Sequence, residues 1–191
     1  VIISCPHEST VSYGRGTRRG PVAILSASQE VEWFDLELGY ESYRKGWVYT
    51  LKPVSVENLK SRVTNLLDDK KIPIILGGEH SITPVAISAF AKRYKNLSVL
   101  QLDAHADLRD SYEGSKGSHA CAMRRTLEIC PVVQAGIRSI SVEEWEWAKK
   151  TGQWNKIHQI PNRHSTELSR GPQSQNKILK QLSKQVYITI D

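Results

Sequence analysis

Two hydrophobic patterns alternate along this chain. Short, continuous apolar runs predict buried strands, because a strand covered on both faces needs no polar side. Such runs occupy 1–5, 72–76, 98–102, 132–137 and 186–190. Apolar positions three and four residues apart predict helices between the strands. The predicted helices occupy 22–30, 56–67, 81–90, 119–128, a segment starting at 141, and 178–184. This order predicts βαβ units and a three-layer α/β/α fold with a mainly parallel sheet.

Local signals support several element boundaries. Ser81 is placed to cap a helix that tolerates Pro84 in its first turn. Ser141 and Glu144 have the spacing of a capping box, which predicts a helix start at 141. The polar segment 161–176 predicts a loop. The sequence contains no repeat and no low-complexity tract, so we expect a single domain over residues 1–191.

Composition narrows the class of protein. A hydrophobic fraction of 39% with mixed charge is typical of a globular chain, and no run approaches the roughly 20 apolar residues of a membrane span. Cys5, Cys121 and Cys130 form no Cys-x-x-Cys pair, which favours reduced thiols and a cytoplasmic location. The net charge is +6, but the basic residues are scattered, so we expect neither a nucleic-acid nor a membrane partner.

Potential metal ligands follow two of the apolar runs. Asp103, His105 and Asp107 alternate after one run, and side chains that alternate on an extended segment share a face. His80 follows another run, after two glycines. A lone Asp-x-His is commonly a solvated turn. Here an Asp-x-His-x-Asp motif and a Gly-Gly-Glu-His motif each follow an apolar strand, and this combination favours a metal site. Carboxylate and imidazole ligands without thiolates favour Mn²⁺ over structural zinc.

These motifs also carry a family resemblance. The chain resembles the ureohydrolases, the arginase and agmatinase superfamily, and within it the agmatinases. The matching segments are Gly16–Pro21, Gly77–Ser81, Asp103–Asp107, Ser118–Arg125 and Gln134–Ser139. The resemblance covers nearly the whole chain and implies the arginase-like fold, incomplete at the C-terminus.

The resemblance implies two Mn²⁺ ions in the intact protein. His80, Asp103, Asp107 and Asp191 would hold one ion. His105 would hold the other, with Asp103 and Asp191 bridging both. The family's third motif is Asp-x-Asp, and only its first residue, Asp191, is present. The resemblance therefore implies that the C-terminal third of the domain is absent, and we expect this segment by itself to be inactive.

The implied chemistry is hydrolysis of a guanidinium group. Two ions about 3.5 to 4 Å apart lower the pKa of a bridging water, and the resulting hydroxide is a strong nucleophile at neutral pH. His119 resembles the family's catalytic histidine, which passes protons to the leaving amine. Its alternative role is a structural hydrogen bond at a helix N-terminus. We expect Glu79 to support the site and Arg18 to brace its loop.

The substrate is suggested by the loop at 108–117. This loop lacks the Asn- and Ser-rich pattern with which arginases hold an α-carboxylate. Asp110, Tyr112 and Glu113 suit a cationic or uncharged tail, whereas Arg109 and Lys116 argue against one. Agmatine, giving putrescine and urea, is therefore the expected substrate. Guanidinobutyrate and other guanidino compounds remain open.

Two other functional classes also remain open. One is a noncatalytic homologue that keeps a metal site for binding or assembly. The other is a zinc deacetylase of related fold, which agrees less well with the double-aspartate motif of Asp103 and Asp107. Since the family usually forms trimers or hexamers, the resemblance also implies a homo-oligomer.

Overall fold

The computed structural model describes residues 1–159 and 172–191. Its strands are β1 (Ile2–Cys5), β2 (Phe34–Asp35), β3 (Tyr40–Glu41), β4 (Ile74–Gly77), β5 (Leu97–Leu102), β6 (Val132–Ile137), β7 (Ile157–Gln159) and β8 (Gln185–Ile190). Its α-helices are α1 (Gly20–Ala27), α2 (Val56–Asp68), α3 (Ile82–Arg93), α4 (Ala122–Leu127), α5 (Val142–Thr151) and α6 (Pro172–Leu179). Internal contacts divide the chain into a first unit, Val1–Ile82, and a second unit, Thr83–Asp191. The single domain expected over residues 1–191 stays a prediction.

The first unit contains a parallel pair of strands. β1 and β4 are in register from Ile2 opposite Ile74 to Cys5 opposite Gly77. Helix α2 buries one stripe of side chains, Leu59, Val63 and Leu67, at four-residue spacing. This spacing keeps the side chains on one face of the helix, as the apolar pattern predicts.

The second unit contains a four-stranded parallel sheet in the order β7–β6–β5–β8. Leu102, the last residue of β5, lies opposite Ala135 of β6 and Ile190 of β8. The carboxyl ends of these strands therefore meet at one edge of the sheet. Ligand sites of open α/β sheets lie at this edge.

The core of the second unit joins the sheet to its helices. Val99 and Val132 from the central strands belong to the same buried cluster as Ile87 of α3, Met123 of α4 and Ala148 of α5. All five are fully buried. This apolar core explains why these strands consist mainly of hydrophobic residues and show no regular polar alternation.

The predicted parallel α/β architecture is confirmed. The predicted strands match β1, β4, β5, β6 and β8 to within two residues at each end. The short strands β2, β3 and β7 have no continuous apolar run, so the pattern did not predict them. Among the described residues, no helix is long and apolar enough to cross a bilayer.

One element boundary was wrong. The structure has helix α6 at Pro172–Leu179, where residues up to 176 were expected to form a loop, and helix does not extend over 180–184. Proline is tolerated at a first helical position because its missing N–H would have no partner there. The side chain of Ser183 turns the chain into β8, since its Oγ accepts from its near neighbour Gln185 N and donates to Gln185 O. The rest of the predicted loop, 161–171, lies outside the described residues.

Candidate metal centre

Three carboxylates meet at the carboxyl edge of the four-stranded sheet. Asp103, Asp107 and Asp191 each offer an oxygen within 4.8 Å of the others. The sheet register explains two of them, because Asp103 and Asp191 directly follow the paired ends of β5 and β8. The backbone N–H of Asp191 also donates to Leu102 O at 3.1 Å. A cation bound between these carboxylates would balance their negative charge, and carboxylate oxygens are ligands of hard divalent cations, so the cluster is suited to a metal ion.

Asp107 is held by an unusual backbone conformation. Its φ is +51°, in the left-handed region that aspartate tolerates better than most residues. Its carbonyl accepts hydrogen bonds from Met123 N at 3.0 Å and Arg124 N at 3.1 Å, at the start of α4. The side chain is 7% exposed. The start of α4 thus fixes the main chain of Asp107 in a conformation that a continued strand would not have.

Both carboxylate oxygens of Asp103 accept hydrogen bonds. Oδ1 accepts from the backbone N–H of His105 at 2.8 Å, and Oδ2 accepts from Nε2 of Gln101 at 2.6 Å. The main chain of Asp103 lies close to Gly136, where φ is +94° and a Cβ would come within 2.9 Å of Asp103 O. The position of this buried carboxylate is therefore determined by the neighbouring strand β6 as well as by its own strand.

The His105 ring lies outside this group of carboxylates. Its side chain is 65% exposed, and Nδ1 lies 3.6 Å from Oδ1 of Asp103. Strand β5 ends at Leu102, and the positive φ of Asp107 breaks the extended alternation on which the shared face was predicted. The assignment of His105 as a metal ligand stays a prediction.

Glu79 and His80 belong to the first unit and follow β4 after one intervening residue, Gly78. His80 is 5% exposed, and its role as a ligand stays a prediction. The Glu79 carboxylate accepts hydrogen bonds from the backbone N–H groups of Ser9 and Thr10, both at 2.8 Å, and from the Ser81 hydroxyl at 2.6 Å. Burial raises the pKa of Glu79, but these hydrogen bonds outweigh burial and bring the pKa to about 2. This ionised carboxylate anchors the segment after β1, which fits a supporting role.

Another glutamate of the first unit holds the loop that contains Arg18. Oε2 of Glu8 accepts from Gly16 N at 2.8 Å, from Arg18 N at 3.1 Å and from the Thr17 hydroxyl at 3.1 Å. Hydrogen bonds, foremost that of Arg18 N, lower the pKa of Glu8. Arg18 thus takes part in the brace through its backbone N–H.

Sequence reasoning missed the role of Glu144 in the site. The predicted capping box is present, with Ser141 N donating to Oε2 of Glu144 at 2.8 Å and Glu144 N donating to Ser141 Oγ at 3.3 Å. The other carboxylate oxygen, Oε1, accepts from Leu108 N at 2.8 Å. Glu144 is 5% exposed. It therefore ties the residue after Asp107 to the start of α5, and the local sequence carries no signal for this link.

His119 opens a short 3₁₀ turn, His119–Cys121, just before α4. Its Nδ1 lies 3.4 Å from the hydroxyl of Ser118, and its half-buried ring meets the ring of Tyr112 edge-on at 6.0 Å. The start of α4 carries the N–H groups that hold Asp107. The catalytic role of His119 stays a prediction.

The charges of the loop at 108–117 are largely paired with neighbours. Asp110 accepts from Arg125 at 2.8 Å and lies 3.4 Å from the Lys116 ammonium. The Arg125 hydrogen bond, followed by the Lys116 charge, lowers the pKa of Asp110. The Arg109 guanidinium lies over the Tyr112 ring, 5.2 Å from its centroid. Asp110 is thus already balanced by cations, which weakens its expected role in holding a cationic substrate tail.

The fold and the site together define an α/β protein with a cluster of acidic residues at the carboxyl edge of its parallel sheet. Oxygen ligands of this kind suit hard divalent cations. The family model described as "Arginase family" matches residues 1–191. The chain belongs to the arginase family.

Similar proteins agree with this assignment. An N(1)-aminopropylagmatine ureohydrolase from Synechocystis is 33% identical over the whole chain, which covers 65% of that protein. An agmatinase from Bacillus cereus is 37% identical over 80% of the chain and 56% of its own length. The crystal structure of an agmatine ureohydrolase from Thermoplasma volcanium superposes with a TM-score of 0.83 and 30% identity, covering 100% of this chain and 65% of that one. The chain thus spans no more than about two thirds of these relatives.

Proposed function

We propose that the full-length protein hydrolyses a guanidino compound at a divalent metal centre. The observation that carries this proposal is the convergence of Asp103, Asp107 and Asp191 within 4.8 Å at the edge of the sheet. Asp103 and Asp107 are almost fully buried, and buried charges are normally paired or bound to metal. The names of the similar proteins, agmatinase and aminopropylagmatine ureohydrolase, support the same chemistry.

The proposed cofactor is Mn²⁺, with two ions per chain. His80 would join the three carboxylates in holding one ion, and His105 would hold the second ion together with Asp103 and Asp191. Carboxylate and imidazole are ligands that suit Mn²⁺. The exposed ring of His105 has room to turn toward an ion. When bound, such ions act as Lewis acids and lower the pKa of a coordinated water.

The chain's own residues hold the centre and move protons. Hydrogen bonds from Gln101 and from His105 N orient the Asp103 carboxylate. The start of α4 donates to the Asp107 carbonyl, and Glu144 accepts from the backbone N–H of the next residue, Leu108. A site fixed in this way loses little by reorganising during the reaction. We assign His119 to give a proton to the leaving amine nitrogen.

The proposed substrate is agmatine, cleaved to putrescine and urea, a step of polyamine biosynthesis. The absence of the arginase carboxylate-binding pattern from 108–117 supports a substrate without an α-carboxylate. A second candidate is N(1)-aminopropylagmatine, because relatives from Synechocystis and Thermus thermophilus that match the whole chain carry its name. Both candidates present the same guanidinium group and differ in the tail.

Urea release from the Mn²⁺-loaded full-length protein tests this proposal. The substrates to compare are agmatine, N(1)-aminopropylagmatine, 4-guanidinobutyrate and arginine. We expect kcat/KM to be higher for agmatine than for arginine, and a preference for arginine would contradict the substrate assignment. A protein that binds metal but releases urea from none of the four would instead be a noncatalytic homologue.

We further propose a cytoplasmic homo-oligomer, a trimer or hexamer. All three cysteines, Cys5, Cys121 and Cys130, are buried and unpaired with one another, as expected for reduced thiols. Light scattering coupled to size-exclusion chromatography would measure the mass of the full-length protein. A monomer at micromolar concentration would contradict the oligomer.

A further inference from the structure

Three buried glutamines connect the core of the second unit to Asp103. Gln101 of β5 and Gln134 of β6 are fully buried and lie directly opposite each other in the parallel ladder. Gln153 follows α5 and is 6% exposed. Glutamine is mostly found at protein surfaces, so three buried ones in contact require an explanation.

Hydrogen bonds join the three side chains in one direction. Nε2 of Gln153 donates to Oε1 of Gln134 at 3.4 Å, and Nε2 of Gln134 donates to Oε1 of Gln101 at 2.6 Å. Nε2 of Gln101 donates to Oδ2 of Asp103 at 2.6 Å. We call Gln153, Gln134 and Gln101 the glutamine relay.

Backbone carbonyls set the direction of the relay. Each NH₂ group also donates to a main-chain oxygen, which can only accept. The pairs are Gln153 with Val132 O at 3.0 Å, Gln134 with Ala106 O at 2.7 Å, and Gln101 with His105 O at 3.2 Å. A reversed amide would direct an oxygen at an oxygen. Every NH₂ group therefore points along the relay toward Asp103.

The end of the relay is what suggests a role beyond satisfying buried polar groups. Buried amides need partners in any protein, but this relay ends on one of the three clustered carboxylates and on the carbonyls of His105 and Ala106. It therefore holds the carboxylate of Asp103 and the main chain of the same motif together. Hydrogen bonds in series polarise one another, so Gln134 and Gln153 strengthen the bond that Gln101 makes.

We propose that the glutamine relay positions Asp103 for metal binding, so that Gln134 and Gln153 control metal affinity without touching the ion. This inference rests on the proposed metal-dependent function. It makes the three glutamines positioning residues. Supporting residues around metal ligands orient them in this way, and their replacement typically lowers metal affinity by about 10- to 100-fold.

Titration of the full-length apo protein with Mn²⁺, with free Mn²⁺ followed by electron paramagnetic resonance, tests the proposal. Gln134→Met keeps the volume of the side chain but leaves Oε1 of Gln101 without its donor. We expect Kd for Mn²⁺ to rise by about 10- to 100-fold. The visible spectrum of the Co²⁺-loaded variant should also change, because it reports the geometry around the ion.

Ser98→Ala is the matched control. Ser98 is 2% exposed and lies near the opposite end of β5, where its hydroxyl meets that of Ser183 at 3.0 Å. Its replacement removes a partly buried hydrogen bond from the same strand as Gln101. We expect a lower Tm with an unchanged Kd for Mn²⁺ and an unchanged Co²⁺ spectrum.

Gln153→Met provides an independent test at the far end of the relay. It should weaken Mn²⁺ binding as Gln134→Met does, but to a smaller extent. If Gln134→Met does not fold, the Mn²⁺ affinity of Gln153→Met tests the proposal in its place. If the folded variant, Gln134→Met or Gln153→Met, binds Mn²⁺ with wild-type affinity, the proposed role of the glutamine relay is wrong. Failure of the wild-type protein to bind Mn²⁺ would instead overturn the proposed metal centre.

Discussion

The buried carboxylate of Glu144 accepts a 2.8 Å hydrogen bond from the backbone N–H of Leu108. Leu108 directly follows Asp107, and Glu144 also closes the capping box of α5. One side chain thus starts a helix and secures the motif that carries two of the clustered carboxylates. The stability of α5 and the position of Asp107 are expected to depend on each other.

Glu144→Gln should destabilise the protein. The introduced NH₂ group cannot accept from an N–H, so either Leu108 or Ser141 keeps a donor without its partner. An unsatisfied buried donor costs about 1 to 3 kcal/mol of unfolding free energy, which urea denaturation would measure. Glu143→Gln, at the neighbouring position, is the control. The side chain of Glu143 is 69% exposed, and substitutions at exposed positions usually change the unfolding free energy by no more than about 0.5 kcal/mol. Equal effects of the two variants would refute the link.

Asp103→Asn should weaken Mn²⁺ binding more than any change in the glutamine relay. The substitution removes a negative charge from the carboxylate cluster. We therefore expect Mn²⁺ affinity to fall by more than about 100-fold, which is the largest loss typical of residues that only support a metal ligand. Metal content after dialysis would measure it. Asp110→Asn in the following loop should retain the wild-type metal content, because Asp110 pairs with Arg125 and Lys116. Tight binding of a single zinc ion, with activity that Mn²⁺ cannot support, would contradict the manganese assignment.

His119→Ala should keep both metals but lower kcat by about 10²- to 10⁴-fold, the usual contribution of general acid–base catalysis. Steady-state kinetics with agmatine, together with metal analysis, would separate the two effects. His158→Ala is the matched control, since His158 lies on β7 and its Nε2 meets Gln181 at 2.9 Å. Near-normal turnover at saturating substrate would assign His119 a structural role.

Gly136→Ala should cost more stability than Gly152→Ala. Both glycines have positive φ, +94° and +80°, which strains any residue with a Cβ by about 1 to 2 kcal/mol. Only at Gly136 would the new Cβ also press on Asp103 O, whereas nothing lies within 4 Å at Gly152. Thermal unfolding would compare the two, and Mn²⁺ affinity should fall only for Gly136→Ala. Equal losses of stability would mean that the close approach to Asp103 carries no cost.

Much of the fold follows from local patterns in the sequence. Mainly apolar runs locate β5 and β6, because strands buried on both faces are rich in hydrophobic residues. The capping box locates the start of α5 because its two hydrogen bonds join residues three apart. The sequence also places Asp103 immediately after a buried strand, which is the strongest local sign of the site. The helix predicted at 178–184 shows the limit of such patterns. Helix α6 ends at Leu179, and the apolar spacing that suggested a longer helix extends into the turn that leads into β8.

Only the tertiary structure decides which residues meet. The register of β5 with β8 brings Asp191 beside Asp103, and strand pairing between distant segments leaves no trace in local periodicity. The same is true of the pairing of Gln101 with Gln134, and of the bond between Glu144 and Leu108. The sequence by itself determined most of the strands and helices and the ligand chemistry that is present, because these depend on neighbours along the chain. Non-local packing decided the geometry of the carboxylates, because it depends on how separate strands and helices are held together.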